Sequence, residues 1–431
     1  MPLCKPLVVL MAILVPCTAM TDQLPVTTTV ADQLFQAGKF EQASVQYAQV
    51  AVDHPNDYHT SLQLGRIALL ANRLSDAETW LQKAHALRPT ETDPRVMLAE
   101  VYYRQDEFGK AAAALDGIDV STNQLILTQY PTLNVPKLRS FSGQTPYEVH
   151  GSGQSTRIKL LQTDPIPLIS VRVNGSQEVT FFIDTGGSEV ALDSDFAREL
   201  GLPTYGSMQG TFSGGQQTAV THSRIDALAL GDWTISNLPA VLLPLRQLSD
   251  IAGGRQINGL IGTTLFYHFL ATLDLPHSEL VLRKRSSVHE QPAANKGVAV
   301  PFWLAGDHFM VSWGQVQSQS PSLLFVDTGL IGAGVKLGEA MLKSANIQLE
   351  YDKATTGAGA GGTLTTVPYV VQQLSLGKVQ EVNVPGLYDG PFPWEHLFGF
   401  YLAGMVGHDF FRPYALTLDF DKMEIRLNKS E

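Results

Sequence analysis

Cysteine is almost missing from this chain of 431 residues: Cys4 and Cys17 are the only two. Beyond them no disulfide, thiol nucleophile or cysteine metal site is available, so the fold must be held by burial of its core. An excess of positive charge is missing too. The 41 acidic residues outnumber the 30 basic ones, for a formal net charge of −11. Nothing is left over to neutralise phosphates, which argues against a nucleic-acid partner. Long apolar runs are also lacking. Leu7–Val15 is too short to span a membrane. It follows Lys5 and precedes Cys17-Thr18-Ala19, the order of an export signal cleaved behind Ala19. Residues 1–19 are therefore predicted to be a signal peptide, and the protein to be exported, periplasmic or secreted. A lipid anchor at Cys17 is the second reading, which Pro16 fits poorly. The 11 histidines contain no His-Glu-x-x-His pair, so a zinc peptidase is unsupported. No metal or cofactor is predicted.

With 44% hydrophobic residues the chain has the means to build substantial cores, and its length allows two or three domains. A helical repeat occupies 24–118. Ala43, Ala77 and Ala111 are spaced by 34 residues, as are Phe40, Leu74 and Phe108. Pro55 and Pro89 keep that spacing, and so do the small residues Gly65 and Ala99. A 34-residue helix-turn-helix period is similar to the tetratricopeptide repeat. The first unit is the weakest, because the Thr-Val residues near Thr29 favour strands. Residues 119–155, punctuated by Pro131, Pro136 and Pro146, read as a linker.

After the linker, short β-type runs alternate with Gly, Pro, Asn and Asp, and "SDFARELGL" near Asp195 is the one helical exception. This region repeats itself. "FFIDTGG" and "LLFVDTGL" place Asp184 and Asp327 143 residues apart, and Gly262 and Gly407 close "GLIG" and "GMVG" at a distance of 145. "GTTLFYHFLATLD" aligns with "GHDFFRPYALTLD" without a gap. Such a constant offset marks an internal duplication, with lobes at 156–287 and 288–431. A duplicated lobe creates a pseudo-twofold axis. One Asp from each lobe at that axis would form a pair that shares a proton, and such a pair performs general acid-base catalysis on water.

From about Thr156 to Glu431 the chain resembles the aspartic peptidases of the retropepsin and pepsin group. The resemblance implies a bilobal all-β acid-protease fold behind the helical solenoid, an α-then-β multidomain chain. It implies that Asp184 and Asp327 are the catalytic pair. Thr185 and Thr328 would lock the two loops across the axis, and Gly186 and Gly329 would allow close backbone approach. Flap hairpins come about 30 residues after each Asp, with Phe212, Gly214 and Gly215 in the first and Gly359 in the second. The "GAGAGG" run at Gly357–Gly362 has a dinucleotide-like glycine pattern but no strand-turn-helix context, and reads as that second flap tip. Gly187 and Leu330 depart from the family, whose lobes carry Ser, Thr or Ala at those positions. The activity implied is endopeptidase hydrolysis of a peptide or protein substrate by a monomer, with the repeat groove docking a protein partner. The alternative is a catalytically inactive peptide-binding adaptor on the same fold. The proline-rich linker leads us to expect few contacts between the repeats and the lobes.

Overall fold

The computed structural model describes residues 26–212, 217–250, 252–285, 296–359 and 362–429. The proposed signal segment, with Cys4 and Cys17, lies outside them, as do Gly214 and Gly215. Among the described residues no helix is long and apolar enough to cross a membrane.

Three helix pairs open the chain. They are α1 (Val26–Gln36) with α2 (Phe40–Asp53), α3 (Tyr58–Leu70) with α4 (Leu74–Leu87), and α5 (Asp93–Arg104) with α6 (Phe108–Ala114). The repeat landmarks fall on equivalent positions. Ala43, Ala77 and Ala111 are all fully buried, and a Cβ on Gly65 would lie 2.7 Å from Leu81 Cγ, so the small residue is what lets α3 and α4 close up. Each pair turns at a residue with positive φ, namely Gly38, Asn72 and Asp106, again 34 apart. The β-favouring Thr-Val start of the first unit is helical all the same. Burying Thr28, Ala31 and Phe35 outweighs the weak intrinsic preference.

The 119–155 stretch is a built part of the fold. It carries α7 (Gln124–Gln129), α8 (Val135–Arg139) and the strand Glu148–His150, and Asn123 and Asn134 cap the two helices through Ile126 N and Lys137 N. Ile126, Leu133, Leu138 and Phe141 are buried. Here the prolines punctuate turns between packed elements.

Among the described residues the β region forms three sheets. The first has eight strands, in the spatial order 148–150, 233–243, 190–193, 257–261, 179–183, 168–173, 217–230 and 204–211. The second also has eight, in the order 303–305, 309–316, 322–326, 402–406, 335–337, 379–388, 362–376 and 355–359. The duplication is visible in register. Phe182 lies beside Leu260 in a parallel pair, and Phe325 lies beside Met405 in its counterpart. Ala191 faces Leu260 in an antiparallel pair, as Lys336 faces Met405. Helix α9 (Ser194–Glu199) and α10 (Thr263–Phe266) in the first lobe have their counterparts in α11 (Glu339–Ser344) and α12 (His408–Phe411). The third sheet has six strands and draws on both lobes. At its centre Phe269–Asp274 pairs antiparallel with Tyr414–Asp419, so Thr272 meets Thr417 with their hydroxyls 2.8 Å apart. The repeated Thr-Leu-Asp therefore marks the pseudo-twofold axis.

The helices pack directly on the lobes, contrary to the expectation of few contacts. All three turns touch the β region: Gly38 abuts Leu323, Asn72 Nδ2 donates to Phe420 O, and Asp106 pairs with His268. Arg66 donates to Phe398 O at 2.7 Å and Arg104 to Gly306 O at 2.6 Å. Phe40 packs edge-on against Trp303 and Phe400 in a core shared by the two regions. No residue of α3 is exposed. Helices α3 and α5 are sandwiched between the outer helices and the β lobes, so along them the face expected to form a partner groove is covered by the protein itself.

Candidate active site

Each Asp-Thr-Gly lies in the loop that follows a buried apolar strand, Val179–Ile183 in the first lobe and Ser322–Val326 in the second. Hydrogen bonds to the neighbouring parallel strand anchor each acid, from Asp184 N to Ile261 O and from Asp327 N to Val406 O. The "LIG" and "MVG" runs thus aim the two loops at one another.

The threonines tie the loops together. Thr185 N donates to Thr328 Oγ1 at 3.1 Å, and Thr328 N donates to Thr185 Oγ1 at 3.0 Å. Thr185 Oγ1 in turn donates to Val326 O of the opposite lobe. Both side chains are buried, at 1% and 0% exposure. A hydroxyl is required here because a Val at either position would strand the buried backbone N–H of the other threonine.

Gly186 N donates to Asp184 Oδ1 and Gly329 N to Asp327 Oδ1, both at 2.8 Å. Each glycine also faces the carboxyl of the other lobe. A Cβ on Gly186 would lie 2.5 Å from Asp327 Cγ, and one on Gly329 would lie 2.1 Å from Asp184 Oδ1. The two carboxyls therefore meet at the axis with no room for any other residue. Burial pushes the Asp184 carboxyl up, and hydrogen bonds from Gly186 N and from Asp327 restrain the rise. Burial and the neighbouring Asp184 charge push Asp327 well above the usual carboxylate range. The pair holds one proton over a pH window in which separate carboxylates would both be ionised.

The dyad lies in a cavity of about 1080 Å³ between the lobes. The hairpin of Thr204–Thr211 and Gln217–Leu230 covers it from the first lobe, and Phe212 lines it. The hairpin of Thr355–Gly359 and Gly362–Leu376 covers it from the second. Gly359 also lines the cavity, and its carbonyl accepts from Gln247 Nε2 of the opposite lobe at 3.3 Å. The two departures noted in the sequence have packing reasons. A Cβ on Gly187 would come within 3.1 Å of Leu260, and Leu330 fills the space above Gly407.

Several residues at this site carry no sequence signal. His308 lines the cavity, with Nδ1 2.5 Å from buried Asp307, and its charge favours ionisation of Asp184. Leu127, Pro131 and Thr132 form part of one wall, so the proline-rich stretch borders the cleft. Glu189 follows the first Asp-Thr-Gly by only a few residues. It is bound by Lys137 Nζ at 2.5 and 2.7 Å and by the Tyr103 hydroxyl at 2.5 Å. Both donors come from the helical half of the chain, and no local motif pairs them with Glu189.

No curated protein matches the chain. Among solved structures, the helical part is similar to the type III secretion translocator chaperone SycD of Yersinia enterocolitica, with 20% identity and a TM-score of 0.20. That match covers 21% of this chain and 61% of the chaperone, so this chain spans less than two thirds of that relative. The chain is also similar to a retropepsin-like aspartic protease from Rickettsia conorii, with 18% identity, a TM-score of 0.22, and coverage of 32% of this chain and 94% of that one. Residues 169–265, which hold the first Asp-Thr-Gly loop, its flap hairpin and the "LIG" strand, match the aspartyl protease family model.

Proposed function

We propose that the protein is an aspartic endopeptidase in which Asp184 and Asp327 activate water between them. The observation that carries this reading is the reciprocal locking of two Asp-Thr-Gly loops, with each carboxyl set against the glycine of the other lobe. A cavity of about 1080 Å³ accommodates an extended peptide of several residues. Ionised Asp184 takes a proton from water as its oxygen bonds to the peptide carbonyl carbon. Protonated Asp327 gives its proton to the carbonyl oxygen. The resulting diol collapses with cleavage of the C–N bond: the proton held by Asp184 passes to the leaving nitrogen, and one diol hydroxyl returns a proton to Asp327, which restores the starting pair. Intact acids in both lobes favour the enzyme over a peptide-binding adaptor, which needs neither carboxyl. The test is incubation with a mixed peptide library from acid to neutral pH. Asp184→Asn and Asp327→Asn are each expected to lower hydrolysis by about 10²–10⁴-fold while the fold is kept. Undiminished cleavage by either variant would sink the assignment.

For the helical region we propose a capping role in place of partner docking, because its inner face is covered by the lobes. Export remains our reading of the N-terminal pattern of Lys5, Leu7–Val15 and Ala19. Its test is the molecular mass of the protein recovered from an expressing cell, where retention of residues 1–19 would count against it.

A further inference from the structure

The pseudo-twofold axis allows each wall of the cleft to be compared with its own duplicate. The registers make the pairing unambiguous. Ala191 opposite Leu260 corresponds to Lys336 opposite Met405. Val190 opposite Ala240 corresponds to Val335 opposite Gly386, which equates Leu243 with Asp389. In the flaps, Met208 opposite Val220 corresponds to Thr355 opposite Thr366. All of these except the strand-setting Val190, Ala240, Val335 and Gly386 line the cavity.

The comparison gives two unlike pockets. The first-lobe pocket is apolar at all four positions, Ala191, Leu243, Met208 and Val220. Its duplicate replaces them with Lys336, Asp389, Thr355 and Thr366. The framework beneath is unchanged, since Leu260 is matched by Met405 and both line the cavity. Lys336 and Asp389 form an ion pair with side chains 1% and 7% exposed. Thr355 and Thr366 hydroxyls lie 3.1 Å apart above them. A nearly dry ion pair is a costly feature that Ala191 and Leu243 at the duplicate positions show the fold does not need.

We propose that Lys336 and Asp389 set substrate specificity, so that the cleft takes a peptide with a large apolar side chain on one side of the scissile bond and a carboxamide side chain, Gln or Asn, on the other. This rests on the reading of the cleft as a peptidase site. The pair is neutral as a unit and offers both donor and acceptor character. A carboxamide carbonyl accepts from the ammonium while its NH₂ donates to the carboxylate. An arginine or glutamate side chain would repel one member of the pair and upset its balance in a site with little water. A leucine would cover the pair without making either hydrogen bond, so the water it displaces from the pair would go unreplaced.

The test uses peptides whose central bond is a reduced, non-hydrolysable amide, varied at the residue on each side and read by equilibrium binding to the full chain. Binding reports the pockets whether or not hydrolysis occurs, so a failure here is distinct from a failure of the peptidase reading, which the cleavage assay reports. The expected result is one position that prefers Leu or Phe and another that prefers Gln or Asn by about tenfold or more over Leu, Arg and Glu. Copying the first lobe into the second, with Lys336→Ala and Asp389→Leu, is expected to move the second position to an apolar preference and to leave the first unchanged. If that variant fails to melt cooperatively, Lys336→Met with Asp389→Leu keeps the volume while removing the donors and acceptors, and is expected to reduce the carboxamide preference to within about threefold of Leu. Equal binding of Leu and Gln by the wild type, a preference for a charged residue, or an unaltered profile in a folded variant would each overturn the proposal.

Discussion

Asp184 and Asp327 occupy equivalent loops, yet their protonation differs. Both are half-buried, but Asp184 has Gly186 N and a nearby His308 to favour its charge, whereas Asp327 also feels the Asp184 charge. The two carboxyls share one proton, with Asp327 shifted further up than Asp184, and the activity profile should be bell-shaped. The acid limb follows protonation of Asp184 and the alkaline limb follows loss of the proton from Asp327. The same shift has a consequence for folding. A carboxyl raised in the native state binds more protons there than in the unfolded chain. Stability is then full below the unfolded value, about pH 4, and falls as pH rises towards the native one. Asp327→Asn removes its own share of that dependence, and it should melt higher than the wild type at neutral pH, with a flatter slope of Tm against pH. Thermal melts from acid to neutral pH check this, and an unchanged slope would place the proton elsewhere.

Among the secondary elements, α5 and α8 hold the first active loop from outside its lobe. Lys137 and Glu189 are both fully buried. Burial pulls the lysine down and the glutamate up, and each restrains the other's shift. Tyr103 supplies a third contact. Lys137→Met leaves a buried carboxyl without its cation and should cost about 3–5 kcal/mol in chemical denaturation. Adding Glu189→Gln keeps an acceptor for Tyr103 and should recover most of that loss. Equal destabilisation in the single and double variants would mean that packing around Lys137, and not the ion pair, is what matters.

The molecule as a whole is a β region roofed by helices. Phe40 and Tyr47 share a core with Trp303, Phe325, Phe400 and Met405, and α3 and α5 are covered on both sides. Removing everything before Gly151 would expose that surface and strip Lys137 and Tyr103 from Glu189. Such a truncated chain should be insoluble or melt without cooperativity, while the full chain melts as one unit. A soluble truncated form with a sharp transition would show that the repeats are a separable module.

How far these features can be read in advance depends on whether their signals are local. The 34-residue spacing of Ala43, Ala77 and Ala111 is legible because each repeat solves the same packing problem with its nearest neighbour. The doubled Asp-Thr-Gly is legible because duplication copies a whole lobe at one offset, so the pairing of Thr185 with Thr328 could be expected from symmetry. The prolines of 119–155 were misleading, since proline marks a break in a helix or strand and says nothing about what packs beside the break. His308, Lys137 and Tyr103 left no trace, because their contacts join elements far apart in the chain. The unlike pockets lay in plain view as Ala191 and Lys336, but they acquired meaning only when strand register placed both residues on the same cleft. The amino-acid order decides which elements repeat and which acids they carry, because those patterns follow from periodicity along the backbone. Which side chains share a buried site depends on how separate elements pack, and that is set by shape and desolvation in three dimensions.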